Sequence, residues 1–375
     1  MRVLLVSSAR AFGGGERHLL DLARGLAGRG HEVFAALAEG SPLRERLPFL
    51  PLRRVRTLPL RNALDLRGAV LLAALAREHE VGVIHAHVAR DYTPASFAAR
   101  GAPRARLVVT RHVLFPLSRA HRVVLSNAAR VIAVSEAVAR SLRAQKIFDE
   151  EKIRVVRNGV DLARFARERE AFELSSAASA RARGSAALPF RVGIVGELSA
   201  VKNQADFLHA AALLDERFGR RVEFVIAGAD ASRGGEYGAH VARLVEDLGL
   251  RDRARLLGRL GEDELPRLTA SLDVLVSASR SEAFGMAMVE ALACGVPVVA
   301  TETEGAREIV EDGVAGLLVP SGDVRAMAEA VASLLEDGER RRSFGARARE
   351  VARERFDLAR MVEATEKVYE EALGA

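Results

Sequence analysis

Of the 375 residues, 49% are apolar and 28% charged, a soluble globular composition with enough chain for two domains rather than one core. A single cysteine, Cys294, excludes an internal disulfide and a multi-cysteine metal site, and the longest apolar run, 69–76, is far too short to span a bilayer. Charge is lopsided: residues 1–167 carry 29 Lys and Arg against 14 Asp and Glu, while the whole chain is only +6. A basic first half predicts an acidic partner such as a phospholipid surface or a phosphorylated glycolipid. Arginine bias is the rival explanation, but it does not account for the asymmetry. Aromatic residues are only 5% and no RNA or DNA module is visible, which argues against nucleic acid. The apolar start at 3–6 is too short for a signal-peptide core, so a cytoplasmic location is expected.

Residues 3–8 read as a buried strand. The loop Phe12-Gly13-Gly14-Gly15-Glu16 then leads into an amphipathic helix over 16–28 and a strand over 32–37, a right-handed βαβ unit of an open parallel sheet. The glycines let backbone approach a ligand at the helix N-terminus, yet the spacing is not G-x-G-x-x-G, and a plain tight turn is the alternative. Between 42 and 67, seven arginines flank the apolar stretch 47–52. This predicts either a basic, apolar-tipped surface for an anionic membrane or an ordinary helix followed by a strand.

A helix over 64–77 and a strand over 81–85 come next, ending in His85-Ala86-His87. Polar side chains at the carboxyl end of a parallel strand face the ligand crevice. His87 is therefore a candidate general base or sugar hydrogen-bonding group, with Asp91 placed to orient it, while His85 alternates into packing. No third ligand stands at metal-site spacing from the pair, so no metal is expected. The strand over 107–110 ends in Arg111-His112, a candidate acceptor or phosphate contact. Strands near 131–135 and 153–156 precede the turn Arg157-Asn158-Gly159-Val160-Asp161.

Residues 168–189, rich in Ala, Arg and Ser, read as a partly helical linker. A second alternation begins at Phe190: strands over 191–195, 222–228, 255–258 and 274–277, with helices from Lys202-Asn203 to 218, over 237–248 and over 262–272. A short helix, a strand near 317–319 and three helices from 324 to 372 finish the chain. The most informative stretch is 279–301, SRSEAFGMAMVEALACGVPVVAT. Glu282 precedes a turn and a helix over 286–293, and Glu290 lies a little over one turn inside it. The amides of Phe284, Gly285 and Met286 are then free first-turn donors, suited to an anion such as a diphosphate. Two carboxylates beside an anion seat fit a nucleotide sugar.

This stretch resembles the E-x7-E signature of the retaining glycosyltransferases of family 4, with matching Phe-Gly, Glu-Ala-Leu-Ala and Gly-Val-Pro-Val-Val-Ala-Thr around it. The resemblance extends over nearly the whole chain, more firmly in 190–335 than in 1–160. It implies a GT-B fold, with two Rossmann-like βαβ domains facing across a cleft. These are an acceptor domain 1–167, a linker 168–189, a donor domain 190–355 and a last helix, 356–375, crossing back to the first. By resemblance, Gly14 and Gly15 lie at the cleft, His87 near the reacting centre and Lys202 on the diphosphate. Glu282 is expected on the donor sugar, Glu290 on the ribose, and the base near Gly258-Arg259-Leu260. No metal or other cofactor is expected.

The family's Gly-Arg-Leu is here Gly196-Glu197-Leu198, which removes one diphosphate cation and puts a carboxylate in its place. Either Glu197 turns away and pairs with a cation, or Arg280 or Arg111 substitutes. The expected activity is metal-independent transfer, with retention, from a nucleotide-diphosphate sugar to a glycan or lipid-linked acceptor. Cell-envelope polysaccharide or lipopolysaccharide synthesis is the expected setting, with peripheral contact at the inner face of the plasma membrane. The alternatives are a nucleotide-sugar-binding relative with weakened catalysis and a sugar-nucleotide epimerase on the same fold.

Overall fold

The computed structural model describes residues 1–182, 189–232 and 234–374 and divides into two compact units, 1–159 with 358–375 and 160–357. The expected linker 168–189 is helical as far as Ala182, within the helix Leu162–Ala182, and its residues 183–188 lie outside the described residues. The Arg169 guanidinium ties this helix into the second unit by donating to the carbonyls of Ala270 (2.9 Å) and Leu272 (3.2 Å).

The first unit is built on seven parallel strands: β1 (Arg2–Ser7), β2 (Glu32–Ala38), β3 (Val55–Leu58), β4 (Val83–Ala86), β5 (Arg106–Arg111), β6 (Ala128–Ala133) and β7 (Ile153–Val155). Their order is β3-β2-β1-β4-β5-β6-β7. The second has six parallel strands: β8 (Phe190–Val195), β9 (Val222–Ala227), β10 (Ala254–Gly258), β11 (Val274–Ser277), β12 (Val298–Thr301) and β13 (Gly316–Val319), in the order β10-β9-β8-β11-β12-β13. The strands are near-continuous apolar runs because helices cover both faces of a doubly wound sheet. In the first unit Val3, Leu5, Leu19, Leu22 and Val33 are essentially inaccessible; in the second, Val192, Phe207, Phe224, Val274 and Val299 are.

In each unit the strand order reverses beside the first strand, between β1 and β4 and again between β8 and β11. A crevice opens at the carboxyl ends of such a pair, because the two connections leave toward opposite sides. Sequence periodicity located most strands and helices within a residue or two, but it placed β6 three residues late and read the helix Leu162–Ala182 only as a partly helical linker from 168. It did not anticipate the helix Tyr92–Gly101, whose run from Tyr92 to Ser96 is buried on every side and so has no amphipathic stripe.

The last helix, Leu358–Leu373, belongs to the first unit. Tyr369 is fully buried and its hydroxyl lies 2.6 Å from Nδ1 of His85. Glu366 pairs with Arg29 and His31, and Glu371 with Arg130 and Arg154. Gly25, inside the helix Gly14–Gly28, admits this helix: a Cβ there would stand 2.4 Å from Cγ2 of Val362. Alanine in a helix interior gains up to about 1 kcal/mol over glycine, but overpacking costs about 1–3 kcal/mol. Gly25→Ala should therefore destabilise the native chain and stabilise a Val362→Ala background, a sign reversal to be read in urea melts of the four-member cycle.

Candidate active site

In the second unit the site grows from the ends of β8 and β11. After β8 the chain turns through Gly196 and Glu197. Ser199 then accepts on its Oγ from the Lys202 amide (3.3 Å), and its carbonyl takes the Asn203 amide (2.9 Å). Asn203 caps the helix Gln204–Phe218 in a left-handed conformation, φ 55°. This turn sends Lys202 back toward the neighbouring strand end, where its Nζ donates to Oε2 of Glu282 at 2.5 Å. Ser279 Oγ donates to the same oxygen at 3.2 Å, and Thr301 at the end of β12 holds the Ser279 carbonyl through its Oγ1 at 2.5 Å. Glu282 is 91% buried (9% exposed), a burial a carboxylate tolerates because a cation and a hydroxyl meet it there.

Lys202, Glu282 and Gly285 line one small cavity together with Ser279, Ala287 and Met288. Gly285 caps the helix Met286–Cys294 with φ 116°, a conformation that L side chains rarely adopt. The amides of Phe284, Gly285 and Met286 donate no hydrogen bond among the described residues. They form an open anion seat next to the lysine. Phe284 itself is buried against Phe356, at a ring distance of 5.8 Å. Glu290 is buried one turn along the same helix, outside the cavity lining, and Cys294 is a packed thiol pushed up in pKa by burial. Arg259 is exposed at the end of β10 and Arg280 exposed after β11. Glu197 is exposed and has no ion pair among the described residues, so of the two alternatives its pairing with a cation is not formed.

Sequence reasoning missed Gly305. A Cβ on it would lie 2.5 Å from the Glu282 carbonyl and 2.8 Å from that of Phe284, so the helix Glu304–Ile309 supports the turn by close backbone approach. No periodicity marks such a residue, because its partner is 23 positions away in backbone that only the fold brings near.

In the first unit, Gly14 and Gly15 begin the helix Gly14–Gly28, and His87 follows β4. His85 is inward as expected: Nδ1 meets Tyr369 and Nε2 meets Thr110 Oγ1, both at 2.6 Å. Asp91 does not orient His87. Its carboxylate accepts from the Ser8 amide at 2.7 Å and is pushed up to about 6 by burial. Both nitrogens of His87 are buried without a partner among the described residues. Two further rings close on it, His18 at 5.6 Å and His112 at 5.8 Å between centroids, and these two are 4.9 Å apart. Burial holds all three neutral, with His18 lowered to about 4. The His85–His87 pair gains no third ligand, since both nitrogens of His85 are bonded, but two other rings stand near His87, from the first helix and from the end of β5, far away in sequence. Arg111 is buried and committed to the Phe115 carbonyl.

Gly305→Ala should displace the 282–284 carbonyls and cost about 1–3 kcal/mol of stability, as overpacking does. Nucleotide affinity should fall with it, which titration calorimetry on the folded variant measures.

Comparison with known proteins adds to this geometry. The Glycosyl transferases group 1 model matches residues 180–351 and the Glycosyltransferase Family 4 model residues 12–164. A D-inositol 3-phosphate glycosyltransferase of Salinispora tropica is 31% identical over 96% of this chain and 81% of its own. An N-acetyl-alpha-D-glucosaminyl L-malate synthase of Bacillus anthracis is 35% identical over 36% of this chain and 34% of its own. The solved structure of Anabaena HepE in complex with UDP-glucose superposes with a TM-score of 0.79 at 25% identity, covering 99% of this chain and 98% of that one. A lysine and a glutamate meeting at the switch point of one of two doubly wound units, together with these matches along the length of the chain, place it in the family 4 glycosyltransferases of GT-B fold.

Proposed function

We propose that the chain transfers a sugar, with retention, from a nucleotide-diphosphate sugar to a glycan or lipid-linked acceptor. The observation that carries this reading is the Lys202–Glu282 pair beside the unpartnered amides of Phe284, Gly285 and Met286. As the bond to the anomeric carbon breaks, negative charge grows on the departing diphosphate and the carbon gains oxocarbenium character. Positive groups aimed at that diphosphate are the largest rate contribution to expect. Lys202 and the helix N-terminus supply them, so this reading places no metal on the diphosphate. Glu282 accepts from the donor sugar hydroxyls and Glu290 from the ribose, with the base near Arg259. His87, neutral, offers a hydrogen bond to a substrate hydroxyl, and Gly14 and Gly15 let backbone come close to it.

The HepE structure in complex with UDP-glucose supports a nucleotide-sugar donor. For the acceptor, the basic first unit favours an anionic molecule. Of the apolar stretch 47–52, Leu47 and Leu50 are packed into the core and do not form the expected tip, but Leu52, with Leu64 and Leu66 nearby in sequence, is exposed among the arginines of 42–67, which supports peripheral contact with an anionic membrane. No helix among the described residues is long and apolar enough to cross a membrane. The relatives named for inositol 3-phosphate and malate favour a second reading of the acceptor, a small phosphorylated or carboxylated molecule. Glu197, exposed where the family carries a cation, favours a nucleotide-sugar-binding relative with weakened catalysis. A sugar-nucleotide epimerase would convert donor without any acceptor.

Thermal unfolding with UDP, GDP and ADP tests the donor site. A nucleotide at about a hundred times its Kd adds roughly 2.7 kcal/mol, a shift of a few degrees that Glu290→Ala should abolish. Lys202→Met should lower donor turnover about 10²–10³-fold, as the loss of one preorganised charge-stabilising group does. Glu197→Arg should raise turnover if the carboxylate weakens catalysis; a loss would give Glu197 a role of its own.

A further inference from the structure

We infer that His18, His87 and His112 form a binding site for one borderline divalent transition ion, Zn2+ by its preference for imidazole. This goes beyond the reading of the donor half and does not rest on it. The three rings come from three elements of the first unit: His18 from the helix Gly14–Gly28, His87 from the end of β4 and His112 from the end of β5. One ligand nitrogen on each lies within 4.8 Å of those on the other two. The hydrogen-bond accounting points the same way. Nδ1 of His18, both nitrogens of His87 and Nε2 of His112 are buried and make no hydrogen bond among the described residues, although the Asn158 side chain interacts with the His18 ring. His18 and His87 are 97% and 95% buried (3% and 5% exposed), where an unpartnered polar atom is costly.

The neighbouring His85 is a useful contrast. It is equally buried, but both of its nitrogens are hydrogen-bonded, so the fold satisfies a histidine here when it needs one only for packing. One nitrogen from each of three elements makes the donor set of a three-histidine site with an open fourth position. Tetrahedral coordination at about 2.0–2.1 Å needs nitrogens roughly 3.4 Å apart, so the rings must close by little over about 1 Å, within reach of small side-chain rotations. His112 is only half-buried, which leaves the open position a way to solvent. His87 keeps its second nitrogen as an N–H donor, so ligation is compatible with its hydrogen bond to a substrate hydroxyl.

The test uses full-length, tag-free protein stripped with a chelator, titrated with Zn2+ alone and with Co2+ alone. One equivalent of Zn2+ should bind at low-micromolar free ion, and Co2+ should give the visible absorption of a tetrahedral site. His112→Gln and His18→Asn, each checked for a native circular dichroism spectrum, should weaken Zn2+ by more than about 100-fold, beyond the roughly 10–100-fold that the loss of an outer hydrogen-bond partner costs. Both should erase the Co2+ band. His209→Ala, on an exposed helix face, should change neither. Well under one equivalent bound, binding that survives both His112→Gln and His18→Asn, or binding lost in His209→Ala would overturn the assignment.

Discussion

The right-handed crossover between parallel strands decides where this chain can bind anything. Each connection must pass over one face of its sheet, and the order reverses where connections leave to opposite faces. That happens once in each unit, beside β1 and beside β8. The chemistry-bearing residues collect at those two places. Lys202 and Glu282 follow β8 and β11; the glycine loop and His87 follow β1 and β4. Both sets are products of the winding, since 80 residues separate Lys202 from Glu282.

The donor half is a balance of charges in a small space. Glu282 is buried and needs Lys202; Lys202 in turn is aimed at the anion seat by Glu282. In the proposed reaction an incoming diphosphate would compete with the carboxylate for the ammonium, while sugar hydroxyls would take over the carboxylate's hydrogen bonding. The pair thus exchanges partners without leaving either charge unmet, which a lone buried charge could not do. Backbone approach makes the arrangement rigid: Gly305 supports the carbonyls of Glu282 and Phe284, and Thr301 holds that of Ser279. Glu197 stands outside this balance, exposed and without an ion pair among the described residues.

In the first unit the last helix does comparable work. Tyr369 satisfies His85, and Glu366 and Glu371 hold four side chains from the turn after the helix Gly14–Gly28, β6 and β7. The floor beneath the histidine cluster is therefore completed by residues from the far end of the chain. Removing that helix would leave His85 with a buried orphan nitrogen and open the packing around Gly25.

Periodicity and turn chemistry carried most of the fold. The alternation of apolar runs with 3.6-period stripes located strands and helices closely, and a reading of strand, glycine loop and helix was enough to imply a doubly wound sheet. The E-x7-E stretch also announced its turn and its helix start with undonated first-turn amides, because these are local features. Long-range partnerships were not legible. That Asp91 serves Ser8 and not His87, that Glu197 finds no cation among the described residues, and that Gly305 supports the 282–284 turn all depend on backbone brought together from separate segments. So does the convergence of His18 and His112 on His87. Sequence by itself determined the elements and the local chemistry, since hydrogen bonding and burial within a strand or helix repeat over a few residues. Only the tertiary structure decided which side chains share a cavity, because a packed contact carries no trace of itself in spacing along the chain.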